Sequence, residues 1–555
     1  MKKQNRLQQL QQKRSSLSLT RTVSFGCTKS LILISCLGIV LLTRNQYVTP
    51  FLAAAVQGSH STQQKHTLSL SSITESSSTL LSTSSLSSSQ SSTSSENKDD
   101  ETEPPVENSE GSSSSRKNGP LKVLFLSADT GGGHRASAES LASQFVIHYP
   151  GTKYDLCDFW TLDGCWPYRT LAPAYKHLSK YPRQWRFLYH LSNMRWYEIM
   201  QDIHSSVTCE RKIRKRIASY DADVVVSVHP TMNYTPIRSL QNIARDTGKR
   251  TPFFTVVTDL GSGHSTWFQP EPEKVFIASD RIRKIAKKRG NVPDESLVES
   301  GLPIRHDFAV QNENMGGDRT SDTGKSYQRS MKAQLNLNSD TKTILVMGGG
   351  EGVGSLKQIV DSLYCTLTKS GIDASVVVVC GRNEKLKTRL ENRDWNKILT
   401  RPKKKRRRLL KFLNPFKKKN NEDTESSTSH GNVKVVPLGF VTQMAEYMVA
   451  ADILVSKAGP GTIAEAAAVG LPVMMTSFLP GQEAGNVDFV VENKFGEFCV
   501  KPDIIADGVS NWLKDDVALT QMSKNAIAIS HPNAAEEIVL EIGEIAHQWM
   551  ERNGK

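Results

Sequence analysis

The chain has 555 residues, too many for one hydrophobic core, so two or three domains are expected. Its formal net charge of +14 is unevenly spread: no Asp or Glu precedes Glu75, whereas Lys2, Lys3, Arg6, Lys13, Arg14, Arg21 and Lys29 all do. Eight cysteines with no Cys-x-x-Cys pair and no dense framework argue against a disulfide-built secreted fold and for a reduced compartment.

The first long apolar run, Leu31 to Leu42, is twelve residues. That is short for a membrane span and fits the core of a signal peptide. Ser59 to Ser95 is rich in Ser and Thr and nearly free of acid, as transit peptides are. Asp99 to Glu110 is acidic and Gly111 to Gly119 is a polar linker. Residues 1–119 therefore read as a disordered targeting region without a core. The order suits a plastid reached through the ER. The alternative is a short signal anchor on an ER or Golgi membrane, with the Ser-rich stretch as a stalk.

Folded sequence begins near residue 120. Val123 to Leu126 reads as a strand, followed by the turn Ser127-Ala128-Asp129-Thr130-Gly131-Gly132-Gly133-His134 and a helical pattern through Leu141, Phe145 and Val146. The glycines let a ligand approach the backbone. His134 falls at or just before the helix N-terminus, where the dipole disfavours its charged form and leaves a neutral base. The bland reading is a phosphate loop, although the spacing fits neither Walker A nor Gly-x-Gly-x-x-Gly.

Between 165 and 196, Trp166, Tyr168, Tyr175, Tyr181, Trp185, Phe187, Tyr189 and Trp196 interleave with Arg169, Lys176, Lys180, Arg183, Arg186 and Arg195. The pattern suits a lipid–water interface or a nucleic acid, or else a helical pair with an aromatic core. Strands follow at Val224–Val228, Phe253–Thr258 and Val275–Ala278. His229 and His264 lie at strand ends, as bases, ligands or hydrogen-bonded loop residues. The sequence shows no cluster with metal-ligand spacing.

Residues 311–340 are polar and turn-rich and read as a linker after an N-terminal domain over 120–310. A second domain over 341–533 repeats strand, glycine turn and helix: Thr343–Met347 before Gly348 to Gly354, Val376–Cys380 before Gly381-Arg382, Val433–Val436 before Gly439-Phe440, and Ile453–Ser456 before Gly459-Pro460-Gly461-Thr462-Ile463. The last turn opens a helix whose free N–H groups make an anion site. A basic insertion, 403–431, reads as a solvated loop or as an attachment to an anionic membrane, with Phe412, Leu413 and Phe416 dipping into the interface. No nucleic-acid motif accompanies it. A closing helix over 534–555 places Ile538, Ile542, Ile545 and Trp549 at core-facing spacing.

Several motifs, in order, resemble the monogalactosyldiacylglycerol synthase family: SADTGGGHRASAESL, SVHP, TDLGSGHSTWF, GLPIR, MGGGEGVG, GRNEKL, GFVTQM, SKAGPGTIAEA and GLPVMMTSFLPGQEAGNVDFV. The resemblance covers roughly Lys122 to Pro502 without the basic insertion. It extends to the wider lipid glycosyltransferases that include the peptidoglycan N-acetylglucosaminyltransferase.

The resemblance implies an α/β GT-B fold, two Rossmann-like doubly wound domains facing a cleft. It implies inverting transfer of galactose from UDP-galactose, the donor substrate, to 1,2-diacylglycerol, with no cofactor and no metal. His134 matches the family's base, with Asp129 as its orienting partner. Gly349, Gly350, Gly352, Arg382, Phe440, Val441, Gly461, Thr462, Ile463, Glu465, Gln482 and Glu483 match the UDP-sugar site. Among these Glu465 takes the ribose, Phe440 and Val441 the uracil, and Gln482 and Glu483 the sugar hydroxyls. Gly132 and Gly133 border the acceptor, and Trp267 matches a position linked to anionic lipid.

The implied partners are diacylglycerol, anionic lipids and the membrane surface, without nucleic acid, and a homodimer is compatible with the pattern. The implied location is the plastid envelope. The stretch Gly261-Ser262-Gly263 departs from the family's usual continuation after Thr-Asp-Leu. The alternatives are a relative using UDP-glucose or UDP-N-acetylglucosamine, and a non-catalytic nucleotide-sugar-binding membrane adaptor.

Overall fold

The computed structural model describes residues 119–128, 130, 132–348, 356–400 and 430–554. The expected targeting region, Asp129, Gly349, Gly350 and Gly352, and nearly all of the basic insertion lie outside these described residues.

Continuous runs of Val, Ile, Leu and Phe form the central strands, buried on both faces, and shorter or more polar segments form the margins, the pattern of parallel sheets covered by helices. In the N-terminal lobe these are β1 (Lys122–Leu126), β2 (Lys153–Cys157), β3 (Val224–Ser227), β4 (Phe253–Val256), β5 (Lys274–Ile277) and β6 (Leu297–Glu299), in the order β2-β1-β3-β4-β5-β6. In the C-terminal lobe β7 (Lys342–Met347), β8 (Ala374–Val379), β9 (Val433–Leu438), β10 (Ile453–Lys457), β11 (Val473–Ser477) and β12 (Gly496–Phe498) run in the order β12-β11-β10-β7-β8-β9. Every pairing is parallel. Strand order reverses between β1 and β3 in one lobe and between β7 and β10 in the other. Such switch points open crevices at the carboxyl ends of the strands.

The stretch 311–340, read as a linker, carries the helix Asp322–Gln334, capped by Ser321, whose hydroxyl accepts from the Gly324 N–H. It packs into the C-terminal lobe because two cations in it find partners. Arg319 is buried and donates to the carbonyls of Val449, Ala451 and Val469, while Lys332 pairs with Asp452 at 3.0 Å. The chain therefore passes between lobes at Gly301 to Arg305.

It returns at its end. In the closing helix Ala534–Arg552, Ile538, Val539, Ile542 and Ala546 are buried against Phe125 and Phe145 of the N-terminal lobe. Trp549 instead sandwiches between Arg250 and Arg552.

The aromatic stretch folds into helices Leu171–Leu178, Pro182–Ser192 and Arg195–Thr208, and it divides its rings. Trp185 packs on Tyr175 and Tyr189, and Trp160 stacks on Tyr168 at 4.6 Å. Trp166, Tyr181, Phe187 and Trp196 point outward, each about half exposed. The aromatic-core reading holds for the first set, and the second set leaves exposed rings of the kind the interface reading calls for. All six cysteines among the described residues are free.

Candidate active site between the lobes

The turn after β1 is set by Gly132, whose φ of 66° lies in the left-handed region that a side chain resists. A Cβ at Gly132 or Gly133 would meet nothing within 4 Å, so the space over this turn is open. His134 is the second residue of the helix Gly133–His148 and is buried, with Nδ1 2.7 Å from Thr258 Oγ1 at the end of β4. Its ring lies edge-to-face on His229 at 4.7 Å and tilted against Trp267 at 6.0 Å. Burial pushes the imidazole pKa down to about 4, against a hydrogen bond to the Val228 carbonyl that favours the charged form. Burial therefore holds the ring neutral, in the same direction as the helix N-terminus that the sequence pointed to.

His229 and His264 are hydrogen-bonded loop residues. His229 Nε2 lies 2.8 Å from Thr130 Oγ1 and its Nδ1 3.0 Å from Thr231 Oγ1. His264 bridges Ser192 Oγ at 3.0 Å and Thr266 Oγ1 at 2.9 Å. Each ring nitrogen of these two residues thus has a side-chain hydroxyl within hydrogen-bond distance.

Trp267, expected near lipid, is wholly buried and donates its indole N–H to Asp259 Oδ2 at 2.8 Å. It supports the floor under His134 and presents no surface to a membrane. Asp259 is also buried. Burial pushes its carboxyl up to about 7, with Trp267 opposing and the nearby charge of Glu483 adding. The sequence marks Thr258 and Asp259 as polar residues at the carboxyl end of a strand but assigns them no role, because their partners His134 and Trp267 come only with the fold.

Across the cleft, the helix Pro460–Ala468 follows β10 with Gly459 at its N-cap and no side-chain cap. The Ile463 N–H, expected to face an anion, already donates to the Gly459 carbonyl at 3.0 Å. Gly461 and Thr462 remain as the first-turn donors. Space over Gly461 is open for 4 Å. Lys457, unremarked in the sequence, brings its ammonium beside Gly459 and pairs with Glu483 Oε1 at 2.6 Å.

Glu483 Oε2 accepts from the Leu479 N–H at 2.8 Å, so both of its oxygens are engaged. The side-chain Oε1 of Gln482 is buried and has no partner among the described residues. Glu465 is held through Oε1 by Arg305, from Nε at 2.9 Å and from Nη2 at 2.8 Å. Phe440 stands 71 % exposed after β9, Val441 packs on the lobe's core, and Arg382 is exposed after β8.

The loop bearing Gln482 and Glu483 rests on the other lobe. Ser262 Oγ donates to the Gln482 carbonyl at 2.6 Å, and the Gly261 N–H donates to Asn486 Oδ1 at 3.3 Å. Gly261 and Gly485 touch backbone to backbone: a Cβ on Gly261 would lie 1.9 Å from the Gly485 carbonyl oxygen. The unusual Gly261-Ser262 pair is thus an interlobe contact. Tyr189 lies flat against Gly481 of the same loop. These contacts bring the His134 turn, Asp259, Gln482 and Glu483 to one cleft.

The family profile for monogalactosyldiacylglycerol (MGDG) synthase matches residues 134–304, and that for the glycosyltransferase family 28 C-terminal domain matches residues 393–538. A probable chloroplastic monogalactosyldiacylglycerol synthase of Nicotiana tabacum is 33 % identical over 438 residues, 77 % of this chain and 71 % of its own. The chloroplastic enzyme of Spinacia oleracea is 32 % identical over 437 residues, 77 % of this chain and 73 % of its own. Among solved structures, Acinetobacter baumannii MurG aligns with a TM-score of 0.45 at 15 % identity, over 76 % of this chain and 99 % of its own.

Proposed function

The chain belongs to the monogalactosyldiacylglycerol synthase family, and on that premise we propose that it transfers galactose from UDP-galactose to the free hydroxyl of 1,2-diacylglycerol in a plastid envelope membrane. The glycerol oxygen forms a bond to the anomeric carbon as the bond from that carbon to the β-phosphate oxygen breaks. The configuration inverts, the hydroxyl proton passes to the imidazole of His134, and UDP leaves.

The observation that carries this reading is the setting of His134: kept uncharged by burial, hydrogen-bonded to Thr258 at the β1/β3 switch point, in the lobe whose Gly261-Ser262 turn touches the loop of Gln482 and Glu483. An imidazole with so low a pKa is a weak base on its own. A diphosphate entering the cleft adds negative charge that favours the imidazolium and raises its basicity.

The donor side has matching groups. The Gly461 and Thr462 amides and the Lys457 ammonium meet the departing diphosphate, so the reading calls for donors and dipoles and for no resident cofactor. Phe440 offers a face to the uracil, and Glu465 accepts from the ribose. Gln482 Oε1 has a lone pair waiting for a sugar hydroxyl.

The acceptor is a lipid, and the outer face of the aromatic helices suits a membrane surface. Trp196, Ile199, Ile203 and Val207 line one exposed side of the helix Arg195–Thr208, flanked by exposed Lys176, Lys180, Arg183, Arg186 and Arg195. That mix fits anionic lipid. No described helix is long and apolar enough to cross a membrane. A homodimer is compatible with this reading.

Competition between UDP-galactose and UDP-glucose with diacylglycerol in vesicles tests the substrate assignment. Preferential formation of the galactolipid is expected, and a clear preference for glucose contradicts it.

A further inference from the structure

We propose that Arg305, on the crossover between the lobes, is the positioning residue of the donor pocket, turning the Glu465 carboxylate so that one oxygen is left for the ribose hydroxyls of a nucleoside-diphosphate sugar. The proposal rests on the assignment of Glu465 to the ribose made above.

Arg305 is fixed from both sides. Just before it, the Pro303 carbonyl accepts from Ser137 Oγ at 3.3 Å, and just after it His306 Nδ1 lies 2.9 Å from Gln144 Nε2. Ser137 and Gln144 belong to the helix that carries His134. Arg305 itself is the N-cap residue of the helix His306–Asn314. Phe308 of that helix is wholly buried in the C-terminal core, and the guanidinium lies over its ring at 5.0 Å.

From this seat Nε and Nη2 both reach Oε1 of Glu465. Among the described residues no group occupies Oε2. Two donors on one oxygen fix the plane of the carboxylate and leave the other oxygen's lone pairs for incoming hydroxyls. The charge state is set by the same contact. Burial, the larger effect, raises the Glu465 carboxyl, with the Asp307 charge adding, and Arg305 opposes both. A part-buried ion pair with no further task gains little over apolar packing. A pair that presents an ionised acceptor in a fixed plane has a task that lysine, a point charge without the fork, only half performs.

The test uses the full chain and four proteins: wild type, Arg305→Met, Arg305→Lys and Glu465→Gln. Calorimetric affinities are measured for UDP and 2′-deoxy-UDP, with KM and kcat for both substrates. The ratio of the two affinities does not depend on how much of a variant is folded. Wild type should prefer UDP about tenfold or more, the value of a charge-assisted hydrogen bond. Arg305→Met should shrink that preference to near unity and raise KM for UDP-galactose, with KM for diacylglycerol unchanged.

Its loss should ease as pH rises, because a Glu465 freed from the cation ionises only at higher pH. Arg305→Lys should restore the flat pH profile but only part of the preference. An Arg305→Met protein that keeps the wild-type preference overturns the proposal while leaving the ribose assignment standing. A wild type, or a Glu465→Gln protein, that shows the deoxy analogue binding as UDP does in wild type overturns the assignment itself and the proposal with it.

Discussion

Nδ1 of His134 lies 2.7 Å from the hydroxyl of Thr258, a contact that joins the turn after β1 to the end of β4 across the switch point of the sheet. It fixes the orientation of the ring in its buried seat beside His229 and Trp267. Thr258→Val keeps the shape and removes the partner. Loss of one buried hydrogen bond is worth about 1 kcal/mol, so kcat should fall roughly fivefold while UDP affinity is kept. Steady-state kinetics beside UDP calorimetry checks this, and an unchanged kcat means Thr258 does not orient the ring.

The buried titratable groups of the cleft oppose one another in their effect on stability. His134 and His264 have pKa values pushed down to about 4 by burial, below the ordinary 6.5. Between those values the unfolded chain binds protons that the folded chain refuses, so their contribution is complete above 6.5 and is lost as pH falls. Asp259, raised to about 7 from 3.8, keeps a proton that the unfolded chain has released, and its contribution is lost as pH rises through that window. Asp259→Asn removes the second slope and leaves the first. Its Tm should fall more steeply than that of wild type between pH 7 and 4.5, values bracketed by these pKa shifts. Parallel Tm curves contradict the burial of an ionisable Asp259.

Much of this architecture was legible in the sequence. The runs at β1, β3, β4, β5, β7, β8 and β10 are mostly continuous and apolar because both faces of those strands are covered, and such runs declare themselves, while β9, at a sheet edge with Lys434 exposed, showed only its valines. The strands β2, β6, β11 and β12 went unread. β2, β6 and β12 are short or polar at sheet margins, and β11 lies inside a motif. The stretch 311–340 looked like a linker because polarity was taken for exposure. Arg319 and Lys332 are buried there, satisfied by carbonyls and by Asp452 that lie more than a hundred residues away.

The site divides in the same way. His134 and Glu465 sit in local motifs, whereas the groups that govern them, Thr258 and Arg305, arrive through the fold from 124 and 160 residues away. Trp267 suggested a lipid contact through the family resemblance, and only its neighbours reveal that it is floor.

Phe440 is the cleanest probe of the uracil end. Because its side chain is 71 % exposed, Phe440→Ala should change stability by no more than about 0.5 kcal/mol. Stacking on a base is worth about 1–3 kcal/mol, so KM for UDP-galactose should rise about fivefold or more. Thermal melting together with donor kinetics checks both halves, and an unaltered KM removes Phe440 from the donor site.

The membrane face is testable without touching the cleft. Ile203 and Val207 are 60 % and 81 % exposed. Replacing both with Ser should leave Tm and activity on a dispersed short-chain diacylglycerol unchanged, and should weaken binding to anionic vesicles several-fold. Residual binding should become more salt-sensitive as the apolar share declines, because charge contacts at a surface are screened within about 10 Å at 0.1 M salt. Vesicle flotation that is indifferent to both substitutions contradicts this orientation.

The most direct measurement compares wild type with His134→Ala on diacylglycerol vesicles and UDP-galactose, identifying the lipid product and titrating UDP separately. The account predicts a β-galactosyl lipid from wild type. From the variant it predicts a rate lower by at least about a hundredfold, the share that a general base contributes, with UDP affinity nearly intact. A variant that turns over within a few-fold of wild type contradicts it.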